Sequence, residues 1–115
     1  MSPEHQQILE DAKQRIAQNK LMIFMKGTPD QPQCGFSWRA AEVLKALGVP
    51  FGHKNIFDHP DYLDVLADHS GWETSPQIFL DGELLGGCDI VTEMYEKGEL
   101  QKRVETAFAG SGKQG

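Results

Sequence analysis

Apolar side chains recur along this chain with two different periods, and the switches between those periods mark out its elements. Ile8, Leu9, Ala12 and Ile16 return at helical spacing. With Ser2 able to cap and Pro3 at the first helical position, residues 3 to about 19 are predicted as an amphipathic helix. Leu21-Met22-Ile23-Phe24-Met25 is apolar throughout, the pattern of a strand covered on both faces. Lys26-Gly27 ends it, and a proline-rich loop leads to Cys34. From Gly35 onward Ala40, Val43, Leu44 and Leu47 share one helical face, and Gly48 stops that helix. Phe51 to Phe57 is predicted as a second strand. Leu21 to Phe57 is therefore a strand–helix–strand unit, which requires parallel pairing and a right-handed crossover.

After His59-Pro60 a short helix carries Tyr62, Leu63, Val65 and Leu66 and breaks at Ser70-Gly71. Gln77-Ile78-Phe79-Leu80, Asp81-Gly82 and Glu83-Leu84-Leu85 read as a tight antiparallel hairpin, since Asp-Gly favours a two-residue type I′ turn. Asp89, just after Gly86-Gly87-Cys88, is the expected N-cap of a helix running through Met94 and Tyr95 to about Lys97. Gly98 separates it from a last amphipathic helix through Leu100, Val104 and Phe108. The order predicts an α/β fold: a mixed four-stranded sheet flanked by helices on both faces. Residues 1–109 form one domain in this reading, and 110–115 a flexible tail.

Composition narrows the class. At 115 residues there is chain for one core and not for two. A 39% hydrophobic and 24% charged content is that of a globular protein in water. The net charge of −6 comes with no basic stripe, which argues against a nucleic-acid partner. No apolar run approaches the roughly 20 residues of a membrane span, and the polar start Met1-Ser2-Pro3-Glu4-His5 shows no secretory h-region. Two widely spaced cysteines are too few for a secreted disulfide framework, so a reducing cytoplasm is the expected location. His5, His53, His59 and His69 have no metal-ligand spacing with each other or with the cysteines.

Cys34 carries the chemistry. It sits where a helix begins, and there unpaired backbone N–H groups and the positive end of the helix dipole favour thiolate over thiol. The position is that of the first cysteine of a thioredoxin-like C-x-x-C, but the second is Ser37. With no partner sulfur one turn on, the site cannot close a local disulfide, and a second sulfur must come from elsewhere.

Four motifs then fall in order: Met25-Lys26-Gly27-Thr28-Pro29, Cys34-Gly35-Phe36-Ser37, Ser75-Pro76-Gln77 and Gly86-Gly87-Cys88-Asp89-Ile90. From about Ile8 to Phe108 the chain closely resembles the monothiol glutaredoxins of C-G-F-S type in their short single-domain form, which have the thioredoxin fold. The resemblance implies glutathione binding and a [2Fe–2S] cluster held between two subunits, with roles in cluster delivery and iron regulation. It implies a homodimer when loaded, BolA-like partners and apo iron–sulfur proteins as recipients. Cys34 would be the cluster ligand, and two chains with two glutathiones would supply the four sulfurs that such a cluster needs. The competing function is a glutathione-dependent oxidoreductase that removes glutathione from mixed disulfides, since one thiolate and external glutathione suffice for exchange.

The resemblance also assigns the glutathione site. Lys26 would bind the glycine carboxylate and support the thiolate. Ser75, before a cis Pro76, would offer its backbone to an extended cysteinyl peptide. Gly87, Cys88 and Asp89, at a helix start, would receive the γ-glutamyl carboxylate, and Phe36 and Leu63 complete the set. Cys88 is open to a packing role or to a disulfide with Cys34, and Trp72 is expected to pack beneath the Pro76 loop. Three positions depart from the family pattern. Glu73 replaces a proline, Ser75 replaces a bulky apolar residue, and Leu63 stands where many members carry an arginine.

Overall fold

The computed structural model describes residues 2–113. The elements run α1 (Pro3–Gln18), β1 (Leu21–Met25), α2 (Gly35–Ala46), β2 (Gly52–Asn55), α3 (Tyr62–Ser70), β3 (Gln77–Leu80), β4 (Glu83–Gly86), α4 (Cys88–Glu96) and α5 (Glu99–Lys113), with a 3-10 turn at Ile56–Asp58. They build a thioredoxin-fold sheet in the order β2-β1-β3-β4. β1 pairs parallel with β2, and antiparallel with β3, which in turn pairs antiparallel with β4.

All five residues of β1 are buried, as its unbroken apolar run requires. Because side chains alternate across a strand, that run feeds two cores. Leu21, Ile23 and Met25 face Ala40, Ala41 and Leu44 of α2, Val91 of α4, and Leu100 and Val104 of α5. Met22 and Phe24 face Ile8 and Ala12 of α1 and Tyr62, Val65 and Leu66 of α3. On the second side Phe24 meets Phe79 edge-on, with ring centroids 5.7 Å apart, and stands 6.1 Å from Tyr62. A polar contact also ties α1 to α3: the Tyr62 hydroxyl donates to Asp11 Oδ2 at 2.7 Å, an oxygen that also accepts from Arg15 Nε of α1 at 2.9 Å. Burial opposes the Asp11 charge, but the Tyr62 hydroxyl and Arg15 outweigh it and lower the carboxyl pKa; burial and that same carboxylate raise the Tyr62 pKa.

The cap of α1 and the hairpin form as predicted. Ser2 accepts from the His5 amide at 3.1 Å, and the hairpin residues Asp81 and Gly82 have φ of 52° and 84°, as a type I′ turn demands. Three boundaries differ from expectation. The strand expected over Phe51–Phe57 is confined to Gly52–Asn55. The Asn55 carboxamide ends it by accepting from the Phe57 amide at 3.0 Å and from the Gly27 amide at 2.9 Å, so the chain turns where pairing would have continued. Asp89 does not cap α4: Gly87 holds the cap position and Asp89 lies in the first turn. A Cβ on Gly87 would come within 3.3 Å of the Pro76 carbonyl and 3.4 Å of Trp72 Nε1, so the helix begins at a close backbone crossing that suits glycine. Finally, α5 extends to Lys113, through residues 110–113 of the expected tail; Gln114 and Gly115 lie outside the described residues. Among the described residues no helix is long and apolar enough to cross a membrane.

Candidate functional site

The C-terminal end of β1 organises the site. Past Met25 the chain turns at Gly27, whose φ of 89° and close approach to the Gln31 carbonyl exclude a side chain. The loop folds back on itself: Thr28 and Gln31 exchange backbone hydrogen bonds at 3.2 and 3.1 Å, and the Gln33 amide donates to the Lys26 carbonyl at 2.9 Å. Cys34 is thereby delivered to the N-cap of α2 in an extended conformation, and its carbonyl accepts from the Trp38 amide at 2.8 Å.

Cys34 is partly exposed and free. Its side chain makes no fully formed capping hydrogen bond, yet its surroundings favour the anion. The amide of Ser37 above all, then that of Phe36, the Lys26 charge and the Ser37 hydroxyl pull the thiol below its ordinary pKa, against the upward push of burial. Ser37 is fully buried, and its oxygen accepts from the Lys26 amide at 3.0 Å. That bond leaves the hydroxyl proton available to the neighbouring sulfur. The serine in the second motif position thus ties β1 to α2 and supports the thiolate.

Beside the thiol opens a cavity of about 540 Å³. Its wall brings together Lys26, Phe36, Leu63, Ser75, Pro76, Gly87, Cys88 and Asp89, residues spread over more than sixty positions. All eight are sequence-assigned; Cys34 itself is outside the wall and adjoins it through Phe36 and Lys26. The Ser75–Pro76 peptide is cis, and Ser75 makes no backbone-to-backbone hydrogen bond among the described residues, which leaves its polar groups open to an incoming strand. The loop before it is held from beneath by Gln77. Its buried side chain donates from Nε2 to the carbonyls of Trp72 at 2.6 Å and Thr74 at 3.2 Å.

Trp72, Glu73, Thr74 and Ile90 also line the cavity and were not assigned to it from the sequence. Their neighbours Ser75-Pro76 and Gly87-Cys88-Asp89 were the available signal. Trp72, expected beneath the Pro76 loop, lines the cavity, with its Nε1 buried close to Gly87 and its carbonyl accepting from Gln77.

Cys88 is 6% exposed and belongs to the α2–α4–α5 core, with its sulfur 3.9 Å from Thr92 Oγ1. The histidines hold one surprise. Glu4, His59 and Asp61 offer ligand-type atoms all within 4.8 Å of one another, a grouping that their spacing did not suggest. His59 Nδ1, however, accepts from the Asp61 amide at 3.0 Å, and His5 Nε2 is paired with Asp61 Oδ2 at 3.0 Å. The cluster is a hydrogen-bonded clasp between α1 and the start of α3.

A partly exposed, activated thiol at a helix start, next to a cavity closed by a cis-proline loop and a second helix start, defines a thioredoxin-fold thiol site with a single reactive sulfur. The sequence profile of the Glutaredoxin family matches residues 21–85. Glutaredoxin 4 of Haemophilus influenzae (strain 86-028NP) is 50% identical over 93 residues, covering 81% of this chain and 87% of that protein. The solution structure of reduced poplar apo GrxS14 superposes with a TM-score of 0.77 at 43% identity, covering 87% of this chain and 92% of that one. A buckwheat glutaredoxin–glutathione complex gives a TM-score of 0.80 at 26% identity, covering 95% and 98%. The chain belongs to the glutaredoxin family, as a monothiol member of the C-G-F-S type.

Proposed function

We propose that this monothiol glutaredoxin binds glutathione in the cavity beside Cys34 and uses it to hold and pass on a [2Fe–2S] cluster. The observation that carries the reading is the solitary activated thiol: Cys34 is accessible and its pKa is lowered, while the only other sulfur of a cysteine, Cys88, is packed in the core. A four-thiolate shell therefore cannot be completed by one chain. Two chains and two glutathiones supply the four sulfurs, which makes the loaded form a homodimer and the cluster labile enough to transfer. Apo iron–sulfur proteins are the natural recipients, a BolA-like protein an alternative partner for the same face, and a reducing compartment such as the cytoplasm the location that keeps both thiols free.

The residues on hand suit the tripeptide. Lys26 supplies one anion anchor, the N-terminus of α4 at Gly87 and Cys88 a second, and the free backbone of Ser75 an edge for the cysteinyl residue. Exchange with mixed disulfides is disfavoured by the folded Gly27–Gln33 loop, which crowds the approach of a second glutathione to the Cys34 sulfur.

Anaerobic reconstitution with iron, sulfide and glutathione tests the reading. The expected product shows cluster absorption and twice the monomer mass. Cys34→Ser or omission of glutathione abolishes both, and Cys88→Ser keeps most of the signal. Normal loading of Cys34→Ser, or dithiol-like turnover in a glutathione-coupled assay without any cluster, would overturn it.

A further inference from the structure

The parts of the cavity wall that carry Lys26 and Leu63 come from separate chain segments, the residue after β1 and the first turn of α3. One oxygen links those segments. Asn55 is the last residue of β2 and lies opposite Met25, the last of β1, so the parallel ladder ends at this pair. Past it the two chains diverge, one into the Gly27 turn and the other into the 3-10 turn at Ile56–Asp58. Asn55 Oδ1 accepts from the Gly27 amide at 2.9 Å and from the Phe57 amide at 3.0 Å, and so bridges the gap. Beyond the ladder, it is the only hydrogen-bonded link between Gly27 and that turn among the described residues.

Each corner has other supports, but they act separately. The Lys26 amide donates to the Ser37 oxygen at 3.0 Å, and its carbonyl accepts from the Gln33 amide at 2.9 Å. Those bonds set Lys26 against α2 and the loop, and neither sets it against α3. On the other side, Ile56 is anchored in the core with Tyr62, and Lys54 pairs with Asp58 at 3.0 Å across the turn. Phe57 itself is 55% exposed, so its amide, rather than the packing of its ring, holds it in place. A carboxylate oxygen has lone pairs for both amides and can stand in for the carboxamide; a methyl group cannot.

Resting on the glutathione reading above, we propose that Asn55 is a positioning residue whose carboxamide oxygen sets the separation of the Lys26 and α3 sides of the cavity and so preorganises it for the tripeptide. Asn55 is not part of the cavity wall. Its effect passes through Gly27 to Lys26, the carboxylate anchor, and through Phe57 to the turn that leads into α3. A ligand that spans two sides already held at the right distance avoids the cost of ordering them. A ligand that must first draw them together forfeits part of its binding energy.

The test titrates the apo protein under argon with reduced glutathione, following amide shifts of the wall residues by NMR. Asn55→Ala should weaken binding about three- to tenfold, the range that one net hydrogen bond contributes. Asn55→Asp, which keeps an acceptor for both amides, should stay within about twofold of the wild-type protein. Ser2→Ala, which removes the cap of α1, should lower stability to urea and leave glutathione affinity unchanged, so that positioning is told apart from general loosening. In the wild-type protein the Gly27 and Phe57 amides should exchange with solvent more slowly, and by similar factors, once glutathione is bound; this arm needs no variant to fold. Undiminished affinity in Asn55→Ala, an equal loss in Asn55→Asp or in Ser2→Ala, or added protection at one amide or at neither overturns the proposal. No binding by the wild-type protein overturns the glutathione reading itself, and the proposal with it.

Discussion

Cys34 and Cys88 stand at equivalent places in the local architecture, each at the start of a helix that follows a strand and a turn, and they differ in almost everything chemical. Cys34 caps α2 from outside the helix, partly exposed, with amides, a lysine and a hydroxyl gathered around its sulfur. Cys88 is the first residue inside α4, 6% exposed, with its sulfur toward Thr92 and its surroundings supplied by the core. A helix N-terminus favours a thiolate only where the sulfur can face the free amides and water. One residue of displacement along the chain, from the cap into the first turn, sends the side chain into packing instead. The lesson is that a cysteine's reactivity belongs to its register on the helix and to what lies opposite, rather than to helix start as such.

The sharpest way to break this comparison is alkylation of the native protein. Iodoacetamide should label Cys34 at least about a hundredfold faster than Cys88, because a buried thiol reacts only through local opening. Peptide mass mapping gives the ratio, and denaturant should erase it. Comparable native rates would show that Cys88 is as available as Cys34.

The second effect is smaller and concerns cause. The Cys34 labelling rate should reach its half-maximum below the pH expected of an ordinary thiol, since the folded pKa is lowered. Ser37→Ala and Lys26→Met should each move that midpoint upward, the former by removing the hydroxyl and the latter the charge. The sign for stability follows from linkage: a depressed folded pKa favours the folded state above the unfolded pKa, and that contribution fades as pH falls through the folded value. A midpoint unmoved by both substitutions would leave the helix amides alone as the cause.

The third effect is the smallest and reverses the ranking of the two cysteines. Cys88→Ser places a hydroxyl in an apolar setting and should cost about 1–2 kcal/mol of stability, whereas Cys34→Ser, at a partly exposed cap, should cost much less and can gain from serine's better capping. Urea denaturation of the two variants measures both. Equal losses would contradict the division of labour between a reactive and a packing sulfur.

Much of this architecture is legible in the residues alone. The apolar run Leu21–Met25 has the pattern of a doubly covered strand, Asp81-Gly82 is a favoured pair for a tight reversal between strands, and Ser37 in place of a second cysteine excludes a local disulfide at Cys34. These features are local: they depend on side-chain period, on the φ preferences of a few turn residues, and on the identity of one position three residues on. Boundaries were less legible where a tertiary partner intervenes. Asn55 ends β2 because its carboxamide finds the amide of Gly27, a residue twenty-eight positions earlier, and Gly87 rather than Asp89 caps α4 because Pro76 and Trp72 lie against it.

Side-chain period and residue identity settle the order and type of the elements, the chemical identity of the reactive group and the absence of a second sulfur one turn on. Which residues share a wall follows from the packing of the layers. Lys26, Leu63, Ser75 and Gly87 meet because the parallel crossover and the hairpin return four chain segments to one end of the sheet. The same packing turned Cys88 inward and joined Glu4, His59 and Asp61 into a clasp. Periodicity reports the neighbours a residue has along its own helix or strand. The cavity arises between elements, where the side chains that meet are set by how the layers stack.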